Sequence, residues 1–290
     1  MLILVGSLVV IGCVLGGYLL SHGQLLALWQ PYELLIIFGG SIGAFLTANS
    51  SKVVKASLQE LVALCKGPTY RRQDYLDLLS LLYDIFSAMR KDGLLGMEAH
   101  IEDPQASPLF SAYPRLLGEK HMVEFITDCL RLIVGGNMEA IELETLLDVE
   151  VETHHMEAEM PAMALSKMAD ALPGFGIVAA VLGIVTTMSN LNGDTSRIGE
   201  HIAGALVGTF LGILLCYGFI GPLAAAMEAR VREDGKAYEC VKVGLMANLR
   251  GYNPKVSVEF ARKVLSANMR PNFQDLEEHL ANVHASGAGA

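Results

Sequence analysis

Charge is scarce in this sequence. Only 18% of its 290 residues are Asp, Glu, Lys or Arg, against roughly a quarter in ordinary soluble domains. The scarcity is uneven. Four apolar stretches, about 1–20, 34–48, 172–188 and 202–227, carry no Asp, Glu, Lys, Arg or His. A bilayer core about 30 Å thick takes roughly 20 mainly apolar residues to cross as a helix, so each stretch reads as a membrane span. Tyr32 and Leu191 complete the two shorter ones. The first stretch begins at Met1 without a basic residue and ends on Ser21-His22-Gly23, a poor cleavage site, so it reads as a retained helix rather than a secretory signal.

Other absences narrow the function. The five cysteines, Cys13, Cys65, Cys129, Cys216 and Cys240, form no C-x-x-C pair, which argues against disulfides and zinc. No G-x-x-x-x-G-K-[ST], G-x-S-x-G or H-E-x-x-H motif occurs, so neither ATP hydrolysis by a phosphate loop nor the matching hydrolase chemistries are expected, and the chain does not read as an enzyme. His154 and His155 precede Glu157 and Glu159, but adjacent residues do not share a helix face and no third ligand is indicated, so no metal is expected. A formal net charge of −10 argues against nucleic acid. No alternating strand pattern of useful length appears.

What charge there is sets an orientation. The connection 21–33 contains no Lys or Arg, and the connection 189–201 contains only Arg197. Lys52, Lys55, Lys66, Arg71 and Arg72 follow the second span, and Arg230, Arg232 and Lys236 follow the fourth. Basic residues near span ends mark the cytoplasmic side. Both termini and both large polar segments therefore read as cytoplasmic, with Trp29 and Tyr32 at the outer interface. The fold class expected is an all-α membrane protein of four spans: spans one and two in 1–49, a helical cytoplasmic domain in 50–170, spans three and four in 171–227, and a helical tail in 228–290. Helical periodicity stops at Asp92-Gly93 and at Gly135-Gly136. A long acidic helix from Met138 feeds span three, with a break or bend expected at Pro161. Residues 285–290, ASGAGA, read as disordered.

Proton and ion relays across a bilayer normally use ionisable side chains. The spans offer only hydroxyls, from Thr47, Thr186, Thr187, Thr209 and Tyr217. A hydroxyl can line a wet path but cannot hold and release a proton near neutral pH. A conducting role therefore needs a second chain to bring the titratable group. Small residues recur at four-residue spacing: Gly204, Gly208 and Gly212 in span four, Gly176, Ala179, Ala180 and Gly183 in span three, and Gly12/Gly16 and Gly39/Gly43 in the first two. Such faces let helices approach closely, and four of them exceed the needs of one bundle, which points to self-association. Pro173 opens span three and can be a helix-start proline. Pro222 lies inside span four, where it makes either a kink or a hinge.

The stretches VVIGCVLGGYL, ALPGFGIVAAVLGIV, LVGTFLGILLCYGFIGPLA, GYNPKVSVEFARKVL and FQDLEEHL resemble the MotA family of flagellar stator subunits in order and spacing, over nearly the whole chain. The resemblance implies a ring, a pentamer, around a MotB dimer that supplies the membrane Asp and a peptidoglycan anchor, in the inner membrane of a bacterium. It implies that ion flow turns the ring against the rotor protein FliG. By motif position it assigns rotor contact to Arg90 and Glu98, with Glu150 as a weaker candidate, coupling to Pro173 and Pro222, and the ion path to Ala180, Thr186 and Thr209. Ala180 stands where sodium-driven PomA chains carry Thr. A methyl gives a partly dehydrated sodium ion no oxygen, so proton drive is expected. A three-span ExbB- or TolQ-like energiser and a non-conducting scaffold are the competing readings.

Overall fold

The computed structural model describes residues 2–136, 138–189 and 195–287, with the side chains of Cys65, Ser189, 195–198, Glu200 and 284–287 left aside. Leu191 and the Arg197 side chain, which entered the sequence reading, thus lie outside the described residues, as do 288–290. Regular structure among the described residues is helical throughout. The helices are α1 (Leu2–Leu20), α2 (Pro31–Ala48), α3 (Ser51–Lys66), α4 (Arg72–Asp92), the short α5 (Glu98–Glu102), α6 (Pro108–Ser111) and α7 (Pro114–Leu117), then α8 (Lys120–Gly135), α9 (Ala140–Ser189), α10 (Thr195–Leu215), α11 (Gly221–Leu249), α12 (Pro254–Val264) and α13 (Phe273–Gly287). Four helical stretches are long and apolar enough to cross a membrane, within Leu2–Leu20, Leu25–Ala48, Ala140–Met188 and His201–Leu249. The chain divides into two units, 1–67 with 158–229 and 68–157 with 230–290.

In the first unit, α1 buries no residue against the rest of the chain. Its apolar surface suits a helix hydrophobic all round that faces lipid or another subunit. Ile37 and Ser41 are fully buried on α2, and Ala169, Leu172, Ala179 and Cys216 complete that core. A second small core holds Ala162 and Leu165 of α9 against Ala224 and Met227 of α11, with Leu61 and Leu64 of α3 packed on it. Ser50 caps α3, its hydroxyl accepting from the Val53 N–H. This is the ordinary N-terminal cap.

Three sequence expectations change. α9 runs unbroken from Ala140 to Ser189 with both Pro161 and Pro173 inside it, so Pro161 makes no break and Pro173 is no helix start. Each proline still removes one N–H and frees the carbonyl four residues back. The Ser57 hydroxyl lies 3.4 Å from the Pro161 carbonyl oxygen, and Ala162 and Leu165 of the following turn pack on Ala224 and Met227. Residues 285–287 are helical rather than disordered. Finally, α2 begins at Pro31 rather than near residue 34, which puts Glu33 in its first turn.

The second unit is a soluble-type helical core built around α4. Leu78, Leu79, Leu81, Leu82, Ile85 and Phe86 are almost wholly enclosed, so α4 is packed on nearly every side. The helix stops at Gly93 (φ 76°) and α8 stops at Gly136 (φ 63°), both in the left-handed half of backbone space that glycine occupies without strain. α8 contributes Met122, Phe125, Ile126, Cys129, Leu130 and Ile133 at helical spacing. Buried Asp74 is paired with Arg115 at 2.8 Å, and the Tyr113 hydroxyl donates to Asp84 at 2.8 Å. Truncating Leu79 to Ala is expected to cost about 3–5 kcal/mol, the range for a buried leucine that leaves a cavity. Leu58→Ala, at a side chain 61% exposed, should cost under about 0.5 kcal/mol. Thermal unfolding of the purified protein compares the two.

Candidate functional site

The membrane site is built on one close helix contact. A Cβ placed on Gly212 would sit 2.7 Å from the Leu172 carbonyl oxygen and 3.1 Å from the Gly176 Cα. A Cβ on Gly176 would sit 3.0 Å from the Gly208 carbonyl oxygen and 3.4 Å from the Thr209 Cα. A Cβ on Gly183 would meet the Ala205 methyl at 3.2 Å, and one on Gly208 the Ala179 methyl at 3.3 Å. The α9 face that makes these contacts is Leu172, Gly176, Ala179, Gly183 and buried Thr187, at helical three- and four-residue spacing. Backbones can approach this closely only where side chains are missing.

These contacts order the predicted path residues. Gly183 faces Ala205 and Gly176 faces Gly212, so the helices are antiparallel and Ala180 stands level with Gly208 and Thr209. Ala180 and Thr209 are both half-buried, and the Thr209 backbone lies against Gly176. Thr209 makes no hydrogen bond among the described residues, so its hydroxyl is available. Thr186 is exposed and donates to the Leu182 carbonyl at 2.9 Å, while Thr187 donates to the Gly183 carbonyl at 2.8 Å. The C-terminal turn of α9 thus carries an exposed hydroxyl on an otherwise apolar rim of Ile184, Val185 and Met188.

The five glycines assigned to helix packing all pack within the chain. Gly176, Gly183 and Gly212 serve the α9–α10 contact, and Gly208 meets both α9 and α2. Gly204 meets α2 and the residue before it: a Cβ there would lie 3.2 Å from the Glu33 Oε1 and 3.4 Å from the Gln30 Oε1. By contrast, a Cβ at Gly12, Gly16, Gly39 or Gly43 would meet nothing within 4 Å.

The two coupling prolines sit in different settings. Pro173 lies inside α9, in the turn where the Leu172 carbonyl touches Gly212, and it leaves the Ala169 carbonyl without its helical donor. Pro222 follows a π-helical turn, Cys216–Ile220, in which the Gly221 N–H donates to the Cys216 carbonyl. Pro222 has no N–H for the Gly218 carbonyl, and the wider turn shifts the hydrogen-bond register around that gap. The span therefore continues into α11 through a π turn, one of the local features at which helices kink.

In the second unit, Arg90 ends α4 and Glu98 opens α5, with an exposed connection between them. Leu94 and Leu95 are 40% and 76% exposed there. Neither Arg90 nor Glu98 has an ion-pair partner among the described residues, so both charges are presented outward. Glu150 differs. It is half-buried on α9, and burial, then repulsion from Asp128, raises its carboxyl above the usual range.

The sequence left Glu33 in the connection between spans, whereas it lies in the first turn of α2 against Gly204 and Gly208. Gln30-Pro31-Tyr32-Glu33 holds the signal that would have found it: proline at the first helical position and an acid in the first turn.

Two family descriptions match: motility protein A N-terminal over residues 4–93, and the MotA/TolQ/ExbB proton channel family over residues 119–240. The motility protein A of Salmonella typhimurium is 48% identical over 283 residues, covering 98% of this chain and 96% of that one. The chain belongs to the motility protein A family. It is an integral membrane protein of the multi-pass type. Among solved structures, the Bacillus subtilis flagellar MotAB stator complex matches with TM-score 0.67 and 25% identity, covering 88% of this chain and 92% of that chain. The Campylobacter jejuni MotAB structure shares the fold, with TM-score 0.72 and 19% identity, covering 92% and 96%.

Two outcomes follow. Gly212→Ala should force α9 and α10 apart and lower stability by about 1–3 kcal/mol, as overpacking does, whereas Gly43→Ala should not; melting of the purified protein compares them. A carboxyl raised in the folded state binds its proton more tightly there than in the unfolded chain, so it costs stability as pH climbs from the unfolded value near 4.3 through the folded one. Glu150→Gln should therefore flatten the fall in stability across that window, read from melting over a pH series. Identical slopes would contradict this cause.

Proposed function

We infer that this chain is a stator subunit of the bacterial flagellar motor. With a MotB-type partner it forms a proton-conducting complex that converts proton-motive force into torque on the rotor protein FliG. Membership of the motility protein A family along nearly the full length carries the reading. The physical chemistry agrees with it. α9 and α10 hold a hydroxyl at Thr209 and a methyl at Ala180 at one depth, and neither can carry a proton. The proton carrier at that depth then belongs to the partner, whose membrane Asp takes that place.

The finer assignments belong to the same proposal. The subunits form a ring, a pentamer around a MotB dimer, and the faces with no intrachain neighbour at Gly12, Gly16, Gly39 and Gly43 suit contacts with other subunits or lipid. The ring sits in the inner membrane with both termini in the cytoplasm, as the basic residues after spans two and four require. Arg90 and Glu98 meet opposite charges on FliG, with the exposed Leu94 and Leu95 between them. Glu150 contributes less, because its carboxylate is half-buried. Pro173 and Pro222 pass movement of the spans to the cytoplasmic part through the two turns that lack a backbone donor. Ala180 favours protons, which move along water chains, over sodium, which needs oxygen ligands.

The test is rescue. Co-expressed with a MotB-type partner in a stator-less cell, the chain should restore swimming in sodium-free medium, and Arg90→Glu should abolish most of that swimming while the protein still accumulates in the membrane. No rescue, or rescue only with sodium, would overturn the reading.

A further inference from the structure

The turn of α9 at Pro173-Gly174-Phe175-Gly176 combines three residues that weaken a helix. Pro173 removes one backbone donor, and glycine is unfavourable in a helix interior. Between the two glycines stands Phe175, the one large side chain after the proline that can fix the direction of the turn.

Phe175 meets α2 at another glycine. A Cβ on Gly40 would sit 2.3 Å from the Phe175 Cδ1, 2.4 Å from its Cε1 and 2.8 Å from its Cγ. The overlap reaches Cγ, the base of the aromatic ring, which does not move when the ring turns about its own axis. Gly40 is therefore a notch that only a hydrogen leaves open. The face of α2 around it is closed. Ile37, three residues before, and Ser41, next to it, are both fully buried, and the Ser41 hydroxyl has no hydrogen-bond partner among the described residues. A Cβ on the adjoining Gly39 would meet nothing within 4 Å.

The helix geometry gives the notch a direction. Residues two apart on a helix point about 200° from one another, so Phe175 projects from the side of α9 nearly opposite Pro173. A proline crowds the carbonyl four residues back and opens the helix on its own side. A bend at Pro173 then closes toward the Phe175 side, which is the side of α2. Gly176 of the same turn lies against Gly208 and Gly212 of α10. The turn is thus held between α2 and α10, and bending presses the aromatic ring into the notch. Ala180 and Thr186 stand on the segment beyond the turn and move with it.

We propose that Gly40 and Phe175 are positioning residues for coupling: the notch stops the bend of α9 at Pro173 and so fixes the stroke that each proton passage delivers. They act through Pro173 rather than on the ion. The role rests on the stator reading.

The experiment uses the full complex with an unplugged MotB-type partner. Proton flux per complex is measured in liposomes, and torque per engaged unit is read from the step height of single motors recovering in stator-less cells. Gly40→Ala, which drives the aromatic ring out of the notch, should lose at least half of the step height while flux per complex stays near the parent's. Phe175→Ala, which empties the notch without forcing the backbone, should do the same. The double variant should be no worse than either single one, because both remove one contact. Flux and torque that fall in the same proportion, a step height equal to the parent's in either variant, or losses that add in the double variant would each overturn the proposal. If Gly40→Ala does not assemble, Phe175→Ala decides alone on the same two readings. A parent complex with neither flux nor torque refutes the stator reading, and this role falls with it; a working parent with proportional losses in the variants refutes the role alone.

Discussion

The contact of α9 with α10 at Leu172, Gly176, Gly208 and Gly212 is the constraint on which the membrane part depends. A hydrogen in place of a side chain at 176 and 212 lets two backbones meet, and that meeting fixes which residues fall beside it. Ala180 and Thr209 come level because of it, Thr187 is buried because of it, and the exposed rim of α9 is whatever the contact leaves over. Apolar burial cannot drive this association in lipid as it would in water, because lipid tails are as apolar as leucine side chains. Close packing and polar contacts carry it instead.

The prolines gain their sense from the same contact. Pro173 weakens the backbone ladder of α9 in the turn that touches Gly212, and Pro222 follows a π turn in the helix that carries Gly212. A helix pair locked by glycines and loosened by two missing donors can hold a close geometry and still change it. The second unit is held mainly by enclosed side chains, with one close-packed glycine, Gly244, against Ala261 and Phe86. α4 is enclosed on nearly every side, and two of its acids are paired, Asp74 with Arg115 and Asp84 with Tyr113. That contrast suits a rigid body that presents Arg90 and Glu98 at a fixed spacing.

Much of this was legible in the sequence. Uncharged runs marked the four spans, because a bilayer tolerates few other compositions. Gly93 and Gly136 marked helix ends, because the chain there takes positive φ. The failures have physical causes too. Pro161 reads as a breaker when only its own turn is considered, but packing from Ala162 and Leu165 keeps α9 continuous. The π turn before Pro222 answers a hydrogen-bond gap that periodicity does not record. The glycine repeats signalled close packing without saying with what, and only the structure separates those at 176, 183, 204, 208 and 212, which pack inside the chain, from those at 12, 16, 39 and 43, which do not. Glu33 was read as a loop acid because the uncharged run begins after it, although Pro31 starts the helix before it.

The central claim is that this chain forms the wall of a proton path whose essential carrier comes from another chain. Proton flux into liposomes measures it most directly. The account expects no flux above background with this chain alone, flux when an unplugged MotB-type partner is co-reconstituted, and loss of that flux when the partner's membrane Asp is replaced by Asn. Sustained proton flux through this chain alone would contradict it.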